Sequence, residues 1–82
     1  MALDWGRVPK NAVPILKELF FVRKKSKPNE IAEKTGLQPR SVRYALKQLI
    51  DIGYVNREPD LEDLRTFYYY IDPKVLKSEE IK

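Results

Sequence analysis

The stretch PNEIAEKTGLQPRSVRYALKQLIDIGYV, residues 28–55, decides the fold of this chain. It predicts two short helices joined by a tight glycine turn and followed by a strand. Gly36 supplies the left-handed backbone conformation that ends a helix within one residue. Leu37 is placed to fill the corner between the helices, and the small Ala32 suits a point where they cross. The spacing therefore predicts two helices that cross closely, as in a helix-turn-helix.

Proline marks the start of both helices. Pro28 and Pro39 each suit the first helical position, where the missing amide hydrogen is not needed. We expect the first helix to end near Thr35 and the second to end before Gly53, so that the helix-turn-helix occupies residues 28–52.

A third helix is predicted upstream. Residues 1–11 show no periodicity and predict an extended N-terminal arm. From about Ala12 to Arg23, apolar residues follow the three-four spacing of an amphipathic helix. Asn11 is the expected cap of this helix, and Pro14 is tolerated because it falls in the first turn.

A β-hairpin is predicted over residues 54–71. Tyr54 to Glu58 and Thr66 to Ile71 are rich in β-branched and aromatic residues, which favour strands. The polar connection between them runs from Pro59 to Leu64. This hairpin would form a wing beside the helix-turn-helix.

A short closing segment follows the hairpin. Asp72 and Pro73 suit the cap and first residue of a C-terminal helix or tail over residues 73–82, which includes Leu76 and Ile81. The expected fold class is α+β, a winged helix-turn-helix with a three-helix core, a two-stranded wing and a short C-terminal helix. We expect one domain spanning residues 1–82.

Composition excludes several function classes. A chain of 82 residues has room for one modest core. It contains no Cys and no His, so thiolate zinc sites, cysteine nucleophiles and the usual general base are absent. No phosphate loop is present, so we expect a protein that is not an enzyme and needs no cofactor. No apolar run suggests a signal peptide or a membrane span, which predicts a cytoplasmic location without membrane contact.

The charge is distributed unevenly along the chain. Residues 1–50 carry 11 Lys or Arg against 4 Asp or Glu, a net charge of +7, while residues 51–82 carry 5 against 8, a net charge of −3. A positive field on the helical half favours a polyanionic partner.

The third predicted helix carries a basic stripe. Exposed positions at helical spacing are filled by Arg40, Arg43, Tyr44 and Lys47, opposite an apolar stripe. Arginine can grip guanine O6 and N7 in a bidentate manner, so Arg40 and Arg43 are the leading base-reading candidates, with Tyr44 and with Gln38 at the helix start. The alternative is an ordinary solvated helix face, but no acidic residue interrupts the stripe before Asp51.

Flexible lysines suit phosphate contacts, which attract DNA without fixing its register. The candidates for contacts with the DNA backbone are Lys47 and the linker residues Lys24, Lys25 and Lys27. For the linker, simple solvation is the competing interpretation.

These residues together resemble the winged helix-turn-helix regulators, most closely the MarR-like branch and related archaeal-type regulators. The resemblance covers roughly residues 12–72. It depends on Glu30-Ile31-Ala32, Gly36-Leu37, the run from Leu49 to Val55, and Asp63-Leu64-Arg65. It implies that the third helix enters the major groove and that Arg65 contacts the DNA backbone toward the minor groove beside the wing. Lys27 stands where the family usually has a Ser or Thr cap.

The tyrosine run Tyr68-Tyr69-Tyr70 admits three interpretations. Strand alternation places Tyr69 on the core side with Phe67 and Ile71, and Tyr68 and Tyr70 on the other side. We favour sheet packing, with a dimer contact by Tyr68 or Tyr70 and base stacking as alternatives.

The carboxylates of the hairpin connection predict a solvated wing tip. Asp60, Glu62 and Asp63 lack a neighbouring His and a rigid spacing, so no metal site is expected. Asp63 is placed to orient Arg65.

The sequence therefore predicts a double-stranded DNA-binding protein, a transcription regulator acting as a homodimer. The alternative function is a winged helix used for protein–protein contact within transcription or assembly machinery.

Overall fold

The architecture is three helices followed by an antiparallel hairpin. The computed structural model describes residues 4–75. The helices are α1 (Val13–Val22), α2 (Pro28–Thr35) and α3 (Pro39–Asp51), and the strands are β1 (Val55–Asp60) and β2 (Asp63–Ile71). The α+β winged helix-turn-helix fold class is confirmed. Within the described part of the chain, no helix has the length and apolar character needed to cross a membrane.

The helix boundaries follow the predicted signals. Pro28 and Pro39 are the first residues of α2 and α3. The backbone N–H of Lys27 donates to Glu30 Oε1 at 2.8 Å, which satisfies one amide at the start of α2. Gly36 ends α2 with a φ of 76°, and its N–H donates to the Ala32 carbonyl at 2.9 Å. The tight glycine turn is therefore confirmed.

The N-terminal segment differs from the extended arm that the sequence predicts. Trp5–Arg7 and Lys10–Ala12 form two short 3-10 turns. The first forms because Asp4 Oδ1 accepts a hydrogen bond from Gly6 N–H at 2.9 Å. The prediction for Asn11 was also wrong, because Ala12 occupies the N-cap position of α1 and the Asn11 amide donates to Gln48 Oε1 at 2.9 Å.

The hairpin strands are longer than predicted. Leu61 and Glu62 alone lie between β1 and β2. The turn is short because Asp60 Oδ1 accepts from Glu62 N–H at 2.9 Å. Pairing runs from Val55 opposite Ile71 to Pro59 opposite Phe67, and the register then shifts so that Asp60 lies opposite Asp63.

The linker between α1 and α2 joins the sheet, which the sequence did not predict. The Ser26 N–H donates to the Tyr69 carbonyl at 2.9 Å, and the Tyr69 N–H donates to the Ser26 carbonyl at 2.8 Å. An isolated bridge of this kind leaves no periodic pattern in the sequence, so it is visible only in the folded structure.

One core unites the helices with the hairpin. Its fully buried residues include Val42, Ala45, Leu46 and Leu49 of α3. Tyr54, predicted within the first strand, lies just before it and is 1% exposed. Its hydroxyl accepts a hydrogen bond from Asp4 N–H at 3.0 Å, which ties the N-terminal segment to the core.

The chain leaves the hairpin through the predicted cap. Asp72 Oδ1 accepts from Lys74 N–H at 2.8 Å, and residues 73–75 are helical. The prediction for residues 76–82, including Leu76 and Ile81, lies outside the described residues.

Candidate nucleic-acid interface

Helix α3 presents one polar face to solvent. Val42, Ala45, Leu46 and Leu49 are completely buried on its inner side. The predicted stripe of Arg40, Arg43, Tyr44 and Lys47 is exposed along the opposite side, with Tyr44 at 61%. Gln38 is the N-cap residue and is also exposed, and its side chain makes no capping hydrogen bond. The helix thus offers five polar side chains to a partner.

The charges on this face are available for a ligand. Lys25, Lys27 and Arg65 form ion pairs, whereas none of the ion pairs described within residues 4–75 involves Arg40, Arg43 or Lys47. Unpaired guanidinium groups on a rigid helix are suited to binding anions and guanine edges.

Arg57 of β1 joins this surface, although the sequence reasoning missed it. It lines two cavities between α3 and the hairpin, together with Arg43. Its guanidinium carbon lies 4.3 Å from the centre of the Phe67 ring. Strand alternation could have indicated it, because Arg57 lies two residues after the buried Val55 and opposite Tyr69.

Two of the predicted phosphate contacts are engaged within the protein. Lys25 Nζ lies 2.6 Å from Glu58 Oε1, and Lys27 Nζ lies 2.9 Å from Asp60 Oδ2. These hydrogen bonds raise the pKa of Lys25 and of Lys27 above the ordinary value of 10.5. Both ammonium groups are therefore neutralised by carboxylates of β1.

Asp60 is the exception to the predicted solvated wing tip. Its side chain is only 9% exposed. The hydrogen bond from Lys27 and then that from Glu62 N–H hold the pKa of Asp60 below its ordinary value of 3.8. The prediction of solvation was wrong for this residue because the Lys27 partner comes from a segment that is distant in sequence.

Tyr68 and Tyr70 lie beneath these lysines. Lys27 Nζ is 5.2 Å from the ring centre of Tyr68, and Lys25 Nζ is 5.8 Å from that of Tyr70. Both tyrosines are half-buried, while Tyr69 is 9% exposed and belongs to the core. This arrangement favours the sheet-packing interpretation of the tyrosine run.

Lys24 and Arg65 lie at different places on the surface. Lys24 lines two cavities beside α1, one of them together with Leu19 and Tyr70. It lines neither of the two cavities between α3 and the hairpin. The Arg65 side chain is 90% exposed, and its Nε donates to Asp63 Oδ1 at 3.1 Å, so Asp63 does orient Arg65. No group of residues suited to a metal ion occurs between Asp4 and Val75.

The sequence is similar to one known protein family. A family model described as the MarR family matches residues 22–67, more than half of the chain. No curated protein matches the sequence significantly.

Solved structures share the fold. The transcriptional regulator Tm0710 from Thermotoga maritima superposes with a TM-score of 0.75 at 27% identity, over 94% of this chain and 53% of that chain. The ST1889 protein from Sulfolobus tokodaii gives 0.73 at 25% identity, over 89% and 70%. A MepR–DNA complex from S. aureus gives 0.75 at 18% identity, over 90% and 60%, a likeness of fold alone. The chain thus spans 53% of the length of Tm0710.

Proposed function

The chain belongs to the MarR family, and from that membership we propose that it is a transcription regulator that binds double-stranded DNA through α3 in the major groove. The observation that carries the proposal is the exposed stripe of α3, whose cations have no carboxylate partner among the described residues. The MepR–DNA complex has the same fold and supports the proposal by analogy.

The dimensions of α3 suit the major groove. Its 13 residues give a length of about 20 Å, and the major groove is roughly 12 Å wide and admits one helix. Arg40 and Arg43 would read guanine, while Gln38 and Tyr44 would contact neighbouring base edges. Gln is suited to a bidentate contact with adenine.

Backbone contacts would come from the edges of this face. Lys47 continues the α3 stripe, and Arg65 projects from the wing, where the guanidinium keeps free N–H groups beside Asp63. Lys24 would contribute by long-range attraction. Lys25 and Lys27 would contribute less, because Glu58 and Asp60 offset their charges.

We propose that the protein acts as a homodimer on a two-fold related site. Symmetric dimers of helix-turn-helix proteins place two recognition helices about one helical turn of DNA apart. Tyr68 and Tyr70 are half-buried beneath Lys27 and Lys25, and the exposed parts of their side chains are the proposed dimer contacts.

Titration against random-sequence DNA and genomic fragments, at two salt concentrations, tests the proposal. We expect affinity to fall steeply with salt. Arg40→Ala should remove sequence preference at one base position, a loss of about 1–3 kcal/mol. Arg7→Ala is the matched control, because Arg7 is exposed on an N-terminal turn and not on α3. Absence of binding at low salt would contradict the proposal.

One observation favours protein contact as a second candidate function. Leu61 and Leu64 at the wing tip are 87% and 69% exposed. Two exposed leucines within four residues of the chain are suited to an apolar partner surface. If this is the function, Leu61→Ser with Leu64→Ser should abolish partner binding and Arg40→Ala should not affect it.

A further inference from the structure

We infer that Arg57 binds a DNA phosphate in the groove between α3 and the hairpin. The inference depends on the DNA binding proposed above and adds a backbone site to it. Arg57 is outside the helix-turn-helix and outside the wing tip.

The groove contains space for a phosphate. Two cavities of about 310 and 460 Å³ lie along it, and both are lined by Arg43, Arg57 and Tyr69. The first also includes Asn29 of α2, and the second includes Lys47 of α3. Arg57 therefore faces the same open space as the α3 stripe, from the opposite wall.

Charge indicates the first cavity as the site of the anion. No Asp or Glu lines it, whereas Asp51 lines the second. Lys27 and Arg65, which also line the first cavity, already pair with carboxylates. Arg43 and Arg57 are the cations of that cavity with no ion-pair partner among the described residues.

The side chain of Arg57 is held in position before any ligand arrives. Its guanidinium carbon is 4.3 Å from the centre of the Phe67 ring. Stacking occupies one face of the guanidinium and leaves the N–H groups at its edge available for a bidentate contact with phosphate oxygens. A side chain held in this way loses less conformational entropy on binding than a free lysine does.

The start of α2 supports the same site. Pro28 and Asn29, the first residues of this eight-residue helix, line the first cavity. The side-chain amide of Asn29 supplies a donor for an anion there, while Glu30 Oε1 already accepts from Lys27 N–H and offsets the helix dipole at this end of α2. Three elements thus converge on one anion site: β1, α2 and α3.

A phosphate contact and a base contact differ in their effects. Arg57→Ala should weaken binding to specific and to random DNA by the same factor, about tenfold or more. The slope of log affinity against log salt should decrease by about 0.9 for each protomer bound. Arg40→Ala should instead reduce the ratio between specific and random DNA.

A second variant, Arg57→Lys, separates the effect of losing the charge from the effect of losing the stack on Phe67. Arg57→Lys keeps the charge but removes the planar group, so it should retain most of the salt slope that Arg57→Ala loses. Arg7→Ala should leave both affinity and slope unchanged. Thermal unfolding of each variant shows whether the fold is intact.

Phosphate ethylation interference provides the direct test. For wild-type protein, ethylation at one particular phosphate in each half-site should block binding, and for Arg57→Ala that phosphate should no longer matter. If wild type binds DNA and Arg57→Ala keeps the same interfering phosphates and the same salt slope, the inference is wrong and the proposed function stands. If wild type binds no DNA, both are wrong.

Discussion

The side chain of Asp60 shows how much a single residue depends on its distant neighbours. It lies in the hairpin beside Glu62 and Asp63, a run that suggests a solvated acidic loop. In the fold it is 9% exposed and hydrogen-bonded to Lys27, more than thirty positions earlier in the chain. Sequence reasoning assigned both residues to solvent or to DNA because pairing across that separation carries no local signal.

The Lys27–Asp60 pair predicts a pH dependence of stability. Because the pKa of Asp60 is lowered in the fold, its contribution is present above the unfolded pKa, near 3.8, and is lost as pH falls through the lower folded value. Because the pKa of Lys27 is raised above 10.5, the same pair is lost again as pH rises through that folded value.

Asp60→Asn should therefore lower the Tm at pH 7, and the difference from wild type should shrink toward pH 2. Thermal unfolding followed by circular dichroism measures this. Glu62→Gln, at an exposed neighbouring carboxylate, should leave the Tm unchanged. A constant difference between Asp60→Asn and wild type across the acid range would contradict the assignment.

At the scale of elements, the helix-turn-helix was predictable and the sheet was only partly so. Pro28, Gly36 and Pro39 act on their own local backbone, and the structure confirms each boundary. The hairpin turn and the bridge at Ser26 depend on side-chain and cross-strand hydrogen bonds, which local propensity does not encode. Arg57 was missed although strand alternation places it on the same side of β1 as Val55, because the cavity that it shares with Arg43 forms only when the hairpin packs beside α3.

The left-handed backbone of Gly36 predicts how much stability a substitution in the turn between α2 and α3 would cost. A Cβ at this position would have nothing within 4 Å, so the penalty comes only from the φ of 76°. Gly36→Ala should lower the free energy of unfolding by about 1–2 kcal/mol. Gly36→Asn should cost less, because Asn adopts the left-handed region more readily. Urea denaturation measures both, and equal stability of Gly36→Ala and wild type would contradict this account.

Leu49 tests the attachment of α3 to the core. It is completely buried, at the end of the inner stripe. Leu49→Ala should lower the free energy of unfolding by about 2–5 kcal/mol, since it leaves a cavity in a small core. The exposed Lys47→Ala, two residues away, should change stability by less than about 0.5 kcal/mol. Urea denaturation compares the two variants. A similar loss of stability for both would contradict the assignment of Leu49 to the buried side of α3 and of Lys47 to its exposed side.

At the scale of the whole molecule, the helices and the hairpin of this MarR-family chain share one core. The described residues have a radius of gyration of 12.1 Å. The dimer we propose uses the sheet face, through Tyr68 and Tyr70. The motifs Glu30-Ile31-Ala32, Gly36-Leu37 and Asp63-Leu64-Arg65 were sufficient to predict the family by resemblance. The assembly depends on a second chain and was not predictable from one.

The proposed homodimer predicts both a mass and a footprint. Sedimentation equilibrium should give twice 9.7 kDa, and Tyr68→Ala with Tyr70→Ala should shift it toward the monomer. Footprinting should show two protected segments centred about 10 base pairs, or a multiple of that spacing, apart. A single protected segment together with a monomer mass would contradict the dimer.

Guanine N7 methylation interference on a bound DNA fragment tests the central claim most directly, because N7 lies in the major groove. We predict that methylation of specific guanines blocks binding of wild-type protein, and that Arg40→Ala no longer responds to one of them. Binding that is indifferent to N7 methylation at every guanine would contradict the account of α3 as a reader of the major groove.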